Sequence, residues 1–312
     1  MKPSEVLDGI QYYFTAPDQQ MKCMVVFVHG LRDHTMSHRH FFNNLVEIGC
    51  GILSFDLSGH GLSLGKRCSI EDYRRDVDSV THGILKALRH KSITEDTPIV
   101  LMGYSYGFPL LVHAMDALLK DDRPYFKART LRHVKAMIGL HPALKVGHVV
   151  HPMALRFGRV VALISRFIAK IDVLPFAPEL ISDDQAVLDV IQNDPHVYTG
   201  KLAAHTTYNV QLAGLAALEL IKIIGVPMTF ILGEHDFVGP ITEEDVDHRD
   251  DVEIYTVRKT KHNSFDGESW NAGYVFRIIH SAIDQALKNK ETPLIALACV
   301  FKKLASDTVI TW

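Results

Sequence analysis

Ser105 stands at the centre of Gly103-Tyr104-Ser105-Tyr106-Gly107, directly after the apolar run Ile99 to Met102 and directly before a helical pattern. A Gly-x-Ser-x-Gly pentapeptide between a strand and a helix is a nucleophile elbow. The turn is so tight that neighbouring backbone crowds the serine from both sides, and Gly103 and Gly107 remove the Cβ atoms that would collide. Strain then holds the hydroxyl clear of the sheet.

A serine hydroxyl is a poor nucleophile at neutral pH and needs a base within hydrogen-bond reach, itself oriented by a carboxylate. On sheets of alternating strands and helices these partners follow in the chain order serine, acid, histidine. The strand VPMTFIL runs into GEHD and puts Asp236 at a strand's C-terminal end. His262 follows the next strand in the loop KTKHNSF, ahead of the last helix. His235 lies too early for that loop and His280 falls inside a helix, so both read as structural. Asp266 reads as the start of the final helix, where a carboxylate complements the N-terminal dipole.

Acyl transfer also needs donors for the developing oxyanion, each worth roughly 2.7 to 4 kcal/mol. The backbone N–H of Tyr106 and that of Leu31, in the turn after MVVFVHG, are the candidates. His29 reads as a brace for that turn. His29, His34, His38 and His40 crowd one segment, but their spacing fits no standard metal-ligand pair on a helix face.

The elements that must hold these groups alternate between β-rich and helical runs, which predicts an α/β fold around a mostly parallel sheet. Strands are expected at Ile10 to Thr15, Met24 to Val28, Gly51 to Phe55, Ile99 to Met102, Val134 to Leu140, Val226 to Leu232 and Asp251 to Val257. Helices are expected at Ser37 to Ile48, from Tyr73 to Leu88 behind a Ser69–Asp72 capping box, and at Phe108 to Lys120. Two more follow, from about Thr206 to Ile224 and from about Ser269 to Lys288. Between Ala143 and His205 the alternation stops without a convincing strand. That stretch reads as an inserted helical cap (143–205) in a core of residues 1–142 and 206–290, followed by a tail, 291–312. Within the cap, Pro152 to Lys170 forms a helical pattern with Arg156, Arg159, Arg166 and Lys170 in one arc of roughly 80°. Such a face suits either solvent or an anionic surface.

Composition excludes several classes. Of 312 residues, 47% are hydrophobic and 22% charged, which is a globular balance. The net charge of −3 gives no global field for nucleic acid. The four cysteines form no CxxC pair, so neither a disulfide framework nor a zinc knuckle is signalled, and a cytoplasmic setting is expected. No run of about 20 apolar residues occurs. The apolar tail segment Leu294 to Phe301 spans only about 12 Å as a helix, too short for a hydrocarbon core of about 30 Å.

With these residues in place, the chain resembles the monoacylglycerol lipase branch of the α/β-hydrolases, with its lysophospholipases and caffeoylshikimate esterases, over about residues 7 to 289. Besides the triad, the resemblance rests on VVFVHG, FDLSGHGLSLGKR, SIEDYRRDVDSV and NDPHVYTGK. In the second of these, Asp56, Gly59, His60, Gly61 and Ser63 match the family's turn. The resemblance implies an α/β-hydrolase fold whose cap forms the acyl channel and docks peripherally on membranes or lipid droplets. It implies no metal and no organic cofactor.

Tyr104, Tyr106 and Phe108 are bulkier than the family's elbow residues, which predicts a narrower pocket floor. At positions serving the glycerol head group in the animal lipases, this chain carries Asp33, Ile191 and Phe265. The long apolar cap with its basic face nevertheless leads to the expectation of serine hydrolysis of a single-chain lipid ester, a monoacylglycerol or lysophospholipid. The alternatives are a carboxylesterase for small or aromatic esters, or a catalytically silent binding protein on the same fold. In the catalytic readings the base must be neutral, so activity falls on acidification.

Overall fold

The computed structural model describes residues 1–145, 172–174, 177–236, 238, 241–267 and 269–288. The basic pattern of the cap, Pro152 to Lys170, and the tail lie outside them.

Eight strands form one sheet: β1 (Lys2–Leu7), β2 (Ile10–Thr15), β3 (Cys23–Val28), β4 (Cys50–Phe55), β5 (Ile99–Tyr104), β6 (Val134–Leu140), β9 (Met228–Gly233) and β10 (Val252–Val257). Their order is β1-β2-β4-β3-β5-β6-β9-β10. The pairs β1·β2 and β2·β4 are antiparallel, and all pairs from β4 to β10 are parallel. A parallel sheet needs both faces covered, and the strand sequences provide for it. Along β3, Met24, Val26 and Val28 enter one core while Cys23, Val25 and Phe27 enter the other. Along β5, Ile99 and Leu101 alternate with Val100 and Met102 in the same way.

The first face is covered by α2 (Tyr73–Leu88), α3 (Gly107–Leu119) and α6 (Ala204–Ile221). The second is covered by α1 (Arg39–Glu47) and α7 (Trp270–Lys288). A further helix, α4 (Pro124–His133), leads into β6, and α5 (Gln185–Asn193) lies between β6 and α6 in the chain.

Three local expectations change. Asp72, not Ser69, caps α2: in extended conformation it accepts the Arg74 N–H at 3.1 Å, whereas Ser69 Oγ lies 3.1 Å from His205 Nε2. The helix expected from Ser37 begins as a 3-10 turn, Thr35–His38, before α1. The stretch between Ala143 and His205 does contain strands, since β7 (Asp172–Leu174) and β8 (Leu202–Ala203) pair antiparallel. They are too short to carry a periodicity.

Chain order places the sheet's topological switch at β3, whose successors β4 and β5 lie on its opposite sides. Ligands of open parallel sheets gather beyond the C-terminal strand ends at such a point.

Candidate active site

Ser105 sits between β5 and α3 with φ +50°, a left-handed conformation that a non-glycine residue adopts only when its surroundings enforce it. Two glycines permit the close packing that enforces it. A Cβ on Gly103 would lie 2.5 Å from the Phe108 Cα, and one on Gly107 would lie 2.2 Å from the Val28 carbonyl oxygen. The turn after β3 presses on the serine as well, because a Cβ on Gly30 would come within 3.0 Å of the Ser105 Cβ.

Ser105, Asp236 and His262 meet. His262 Nδ1 lies 2.9 and 3.0 Å from the two Asp236 oxygens, and Nε2 lies 2.7 Å from Ser105 Oγ. An ionised carboxylate only accepts, so Nδ1 carries the proton and Nε2 accepts the serine hydroxyl. Burial would raise the Asp236 carboxyl, but the electrostatic pull of the His262 ring, and then hydrogen bonds from His141 and His262, outweigh it and hold the group well below the usual carboxylate range. The Val238 N–H, donating to Asp236 Oδ1 at 2.9 Å, adds a fixed contact.

Leu31 and Tyr106 both line the pocket in front of Ser105. Tyr106 is the N-cap of α3, where backbone amides lack helical acceptors. Its hydroxyl points the other way and donates to the buried Asp76 of α2 at 2.9 Å. Phe108 packs into the core against Phe230, ring centroids 5.3 Å apart, so the core absorbs its bulk and it does not line the pocket. His29 braces the turn: Nδ1 donates to the Gly30 carbonyl at 2.8 Å, and Nε2 accepts the Leu57 N–H at 2.9 Å. His235 is exposed beside Glu234, and His280 is half-buried beside Asp284.

Asp266 departs from its expected place. The final helix starts at Trp270, and Asp266 is instead buried against His38, Oδ2 to Nδ1 2.6 Å, with Asn263 Nδ2 donating to the same oxygen at 3.1 Å. The other edge of the His38 ring, Nε2, lies 3.0 Å from Asp33 Oδ2. Burial alone would push this imidazole down, but Asp33 and then Asp266 carry it up to about 10. The same contacts hold Asp33 far below its ordinary value against the burial that would raise it. Asp33 therefore lines the pocket as the partner of a charged histidine. Phe265 is not among the lining residues. It stacks under His38 at 5.4 Å and packs edge-on against Tyr104 and Phe41. Ile191 does line the pocket, from α5.

The NDPHVYTGK segment grips the turn after β3. Asp194 accepts from His34 Nε2 at 3.1 Å, the Tyr198 N–H donates to the Arg32 carbonyl at 2.8 Å, and Arg32 donates to the Tyr198 carbonyl at 3.1 Å. Asp56 of the FDLSGHGLS turn is fully buried and accepts from the Tyr13 hydroxyl, the Thr35 N–H and the Leu62 N–H at 2.8 to 2.9 Å.

His141, which belongs to no motif in the sequence, joins the site. It follows β6 directly, with φ +46°, and its ring is completely buried behind Asp236. The available signal was its position at a strand's C-terminal end, the edge where Ser105 and Asp236 also emerge. Among the described residues, His141, Asp236 and His262 are the one group whose potential ligand atoms lie close enough for a metal, all within 4.8 Å. Both Nδ1 atoms donate to the carboxylate, and an ion could enter only by displacing those protons.

The pocket over Ser105 has a volume of about 430 Å³. Ala177, Leu180, Ile181, Val187, Val190 and Ile191 form much of its wall. The arrangement supplies a hydroxyl, a base, an orienting acid and an adjacent apolar cavity.

Known proteins share this family and fold. The model of the family Hydrolase_4, described as serine aminopeptidase, S33, matches residues 19–261. A monoacylglycerol lipase of Mycolicibacterium smegmatis is 23% identical over 233 residues, 74% of this chain and 76% of that one. Among solved structures, a soluble variant of monoglyceride lipase from Saccharomyces cerevisiae superposes with a TM-score of 0.68 at 18% identity, covering 94% and 96% of the two chains. A thermostable carboxyl esterase from Bacillus coagulans gives 0.70 at 15%, covering 92% and 98%. These structural likenesses establish the shared fold.

Proposed function

The chain belongs to the Hydrolase_4 family and is an α/β-hydrolase of the monoacylglycerol lipase-like kind, and from that premise we propose that it cleaves carboxylic esters through an acyl-enzyme on Ser105. The observation that carries this reading is the 2.7 Å contact between Ser105 Oγ and His262 Nε2, backed by Asp236. Ser105 Oγ attacks the ester carbonyl while its proton passes to His262. Asp236 stabilises the imidazolium, and the Leu31 and Tyr106 amides hold the oxyanion. His262 returns the proton to the leaving alcohol. A water activated by the same imidazole then releases the acid and regenerates the serine.

The substrate class we infer is a single-chain lipid ester, a monoacylglycerol or lysophospholipid. Its support is the apolar wall described above, together with the names of the related lipases. In this reading residues 143–205 cap a core of residues 1–142 and 206–290, and the cap makes the peripheral contact with a lipid surface. Among the described residues no helix is long and apolar enough to cross a membrane. A second reading, an esterase for small or aromatic esters, is favoured by the engagement of Asp33 with His38 and the burial of Phe265, which leave neither for a glycerol head group.

Labelling with a fluorophosphonate probe separates enzyme from silent scaffold: wild type should react and Ser105→Ala should not. An unreactive wild type overturns the proposal. A panel of monoacylglycerols, lysophospholipids, short nitrophenyl esters, hydroxycinnamate esters and aminoacyl amides then sets the substrate class. Preference for short or aromatic esters would sink the lipid assignment, and preference for amides would sink the ester assignment.

A further inference from the structure

Asp236 is held by two histidines. On one side His262 Nδ1 donates to it, and on the other His141 Nδ1 donates to Oδ2 at 3.0 Å. The ring of His141 is completely buried, and its far nitrogen, Nε2, lies 2.7 Å from Ser264 Oγ, two residues beyond His262. The backbone is fixed as well: the His141 N–H donates to the Ile231 carbonyl of β9 at 2.7 Å, and φ is +46°. Strain, burial and two side-chain hydrogen bonds thus converge on one imidazole that touches neither the pocket nor the serine.

We propose that His141 is a positioning residue for the reaction, one that fixes Oδ2 of Asp236 and, through Ser264, the loop that carries His262. This role rests on the acyl-enzyme reading of Ser105. The groups facing His141 determine its tautomer. Asp236 only accepts, so Nδ1 bears the proton, and Nε2 then accepts the Ser264 hydroxyl. Burial, the largest influence, holds the ring neutral against the pull of Asp236, and the neighbouring His262, ring centroid 5.8 Å away, pushes the same way. A neutral donor at this place does two things. It stops the carboxylate rotating away from His262, and it takes up part of the negative charge that would otherwise draw a proton onto His262.

The test compares His141→Ala, His141→Asn and Ser264→Ala with wild type, using kcat and KM on a short nitrophenyl ester from pH 5 to 9. Asn tolerates the left-handed backbone and places an amide N–H₂ where Nδ1 stands. We expect His141→Ala to lose about tenfold to a hundredfold in kcat with KM nearly unchanged, as for one lost hydrogen bond to a charged group. The acid limb of its kcat/KM profile should move to higher pH, because a less compensated carboxylate favours protonated His262. His141→Asn should recover most of the rate and the wild-type limb. Ser264→Ala should give a smaller loss in the same direction. Imidazole ¹⁵N spectra of the wild type should show His141 neutral with the proton on Nδ1, a readout that does not depend on any variant folding.

Equal losses in the Ala and Asn variants with an unmoved acid limb would reduce His141 to packing and overturn the proposal. So would an Nε2–H tautomer or a charged ring at neutral pH. A wild type that does not react with the fluorophosphonate fails earlier and overturns the acyl-enzyme reading itself, a result that an active wild type with unmoved variants cannot be confused with.

Discussion

His38 Nδ1 and Asp266 Oδ2 lie 2.6 Å apart across 228 residues of sequence, and this contact joins the segment after β3 to the loop that carries His262. His38 closes the segment that begins with the Leu31 amide, and Asp266 closes the loop that begins with His262. With Asp33 on its other edge, the imidazole is a buried cation between two carboxylates. Such a group is costly to bury alone and costly to remove, since deleting it strands two anions.

The first prediction concerns that cation. The folded-state value of His38, about 10, is above the ordinary histidine value of about 6.5. Its contribution to stability is therefore complete below about 6.5 and is lost as pH rises through about 10. Thermal unfolding of wild type should show a falling Tm over that alkaline window. His38→Phe should flatten the fall and cost on the order of 3–5 kcal/mol at pH 7. A wild-type Tm unchanged from pH 7 to 10 would contradict a charged His38.

Asp76 gives the second. Burial raises this carboxyl to about 6 although the Tyr106 hydroxyl works the other way. Because the folded value exceeds the unfolded one, the stabilisation belongs to the protonated form: it is complete below about 4 and lost as pH rises through about 6. Asp76→Asn keeps an acceptor for the Tyr106 hydroxyl without the charge. It should therefore stabilise the protein at pH 7.5 by on the order of 1–3 kcal/mol and remove the Tm slope between pH 4 and 6. Chemical denaturation of both proteins at pH 4 and 7.5 measures it. Equal stability at both pH values would show that the carboxyl is not buried as described.

The third tests the pocket wall. Ile191 lies on α5, half-buried, where a larger side chain can be accommodated without opening the core. Ile191→Trp should reduce hydrolysis of long-chain esters by about tenfold or more relative to wild type while short esters change little. Parallel kcat/KM values for butyrate and palmitate esters decide it, and an equal effect on both would remove α5 from the acyl path.

The parts of this molecule that could be read from the chain are those whose physics is local. The unbroken apolar runs Met24 to Val28 and Ile99 to Met102 fit strands buried on both faces, because successive side chains point to opposite sides. Gly103 and Gly107 mark the elbow because a tight strand-to-helix turn leaves no room for their Cβ atoms. β1 escaped notice because an antiparallel edge strand with Val6 and Leu7 exposed has no buried face to impose a pattern. Asp266 looks like a helix start in the sequence because acidic residues favour that place. Its actual partner is hundreds of residues away.

Sequence by itself determined which three groups meet at the pocket and the strand ends that present them: Ser105 in its elbow, Asp236 after β9 and His262 after β10. Only the tertiary structure decided which ionisable groups are buried and against whom. Nothing in the spacing of His38, His141, Asp33 or Asp266 announces that the first is a cation between two carboxylates and the second a neutral support for Asp236. The reason is physical. The charge state of a buried group depends on desolvation and on the few atoms within hydrogen-bond reach, and folding selects those atoms from distant parts of the chain.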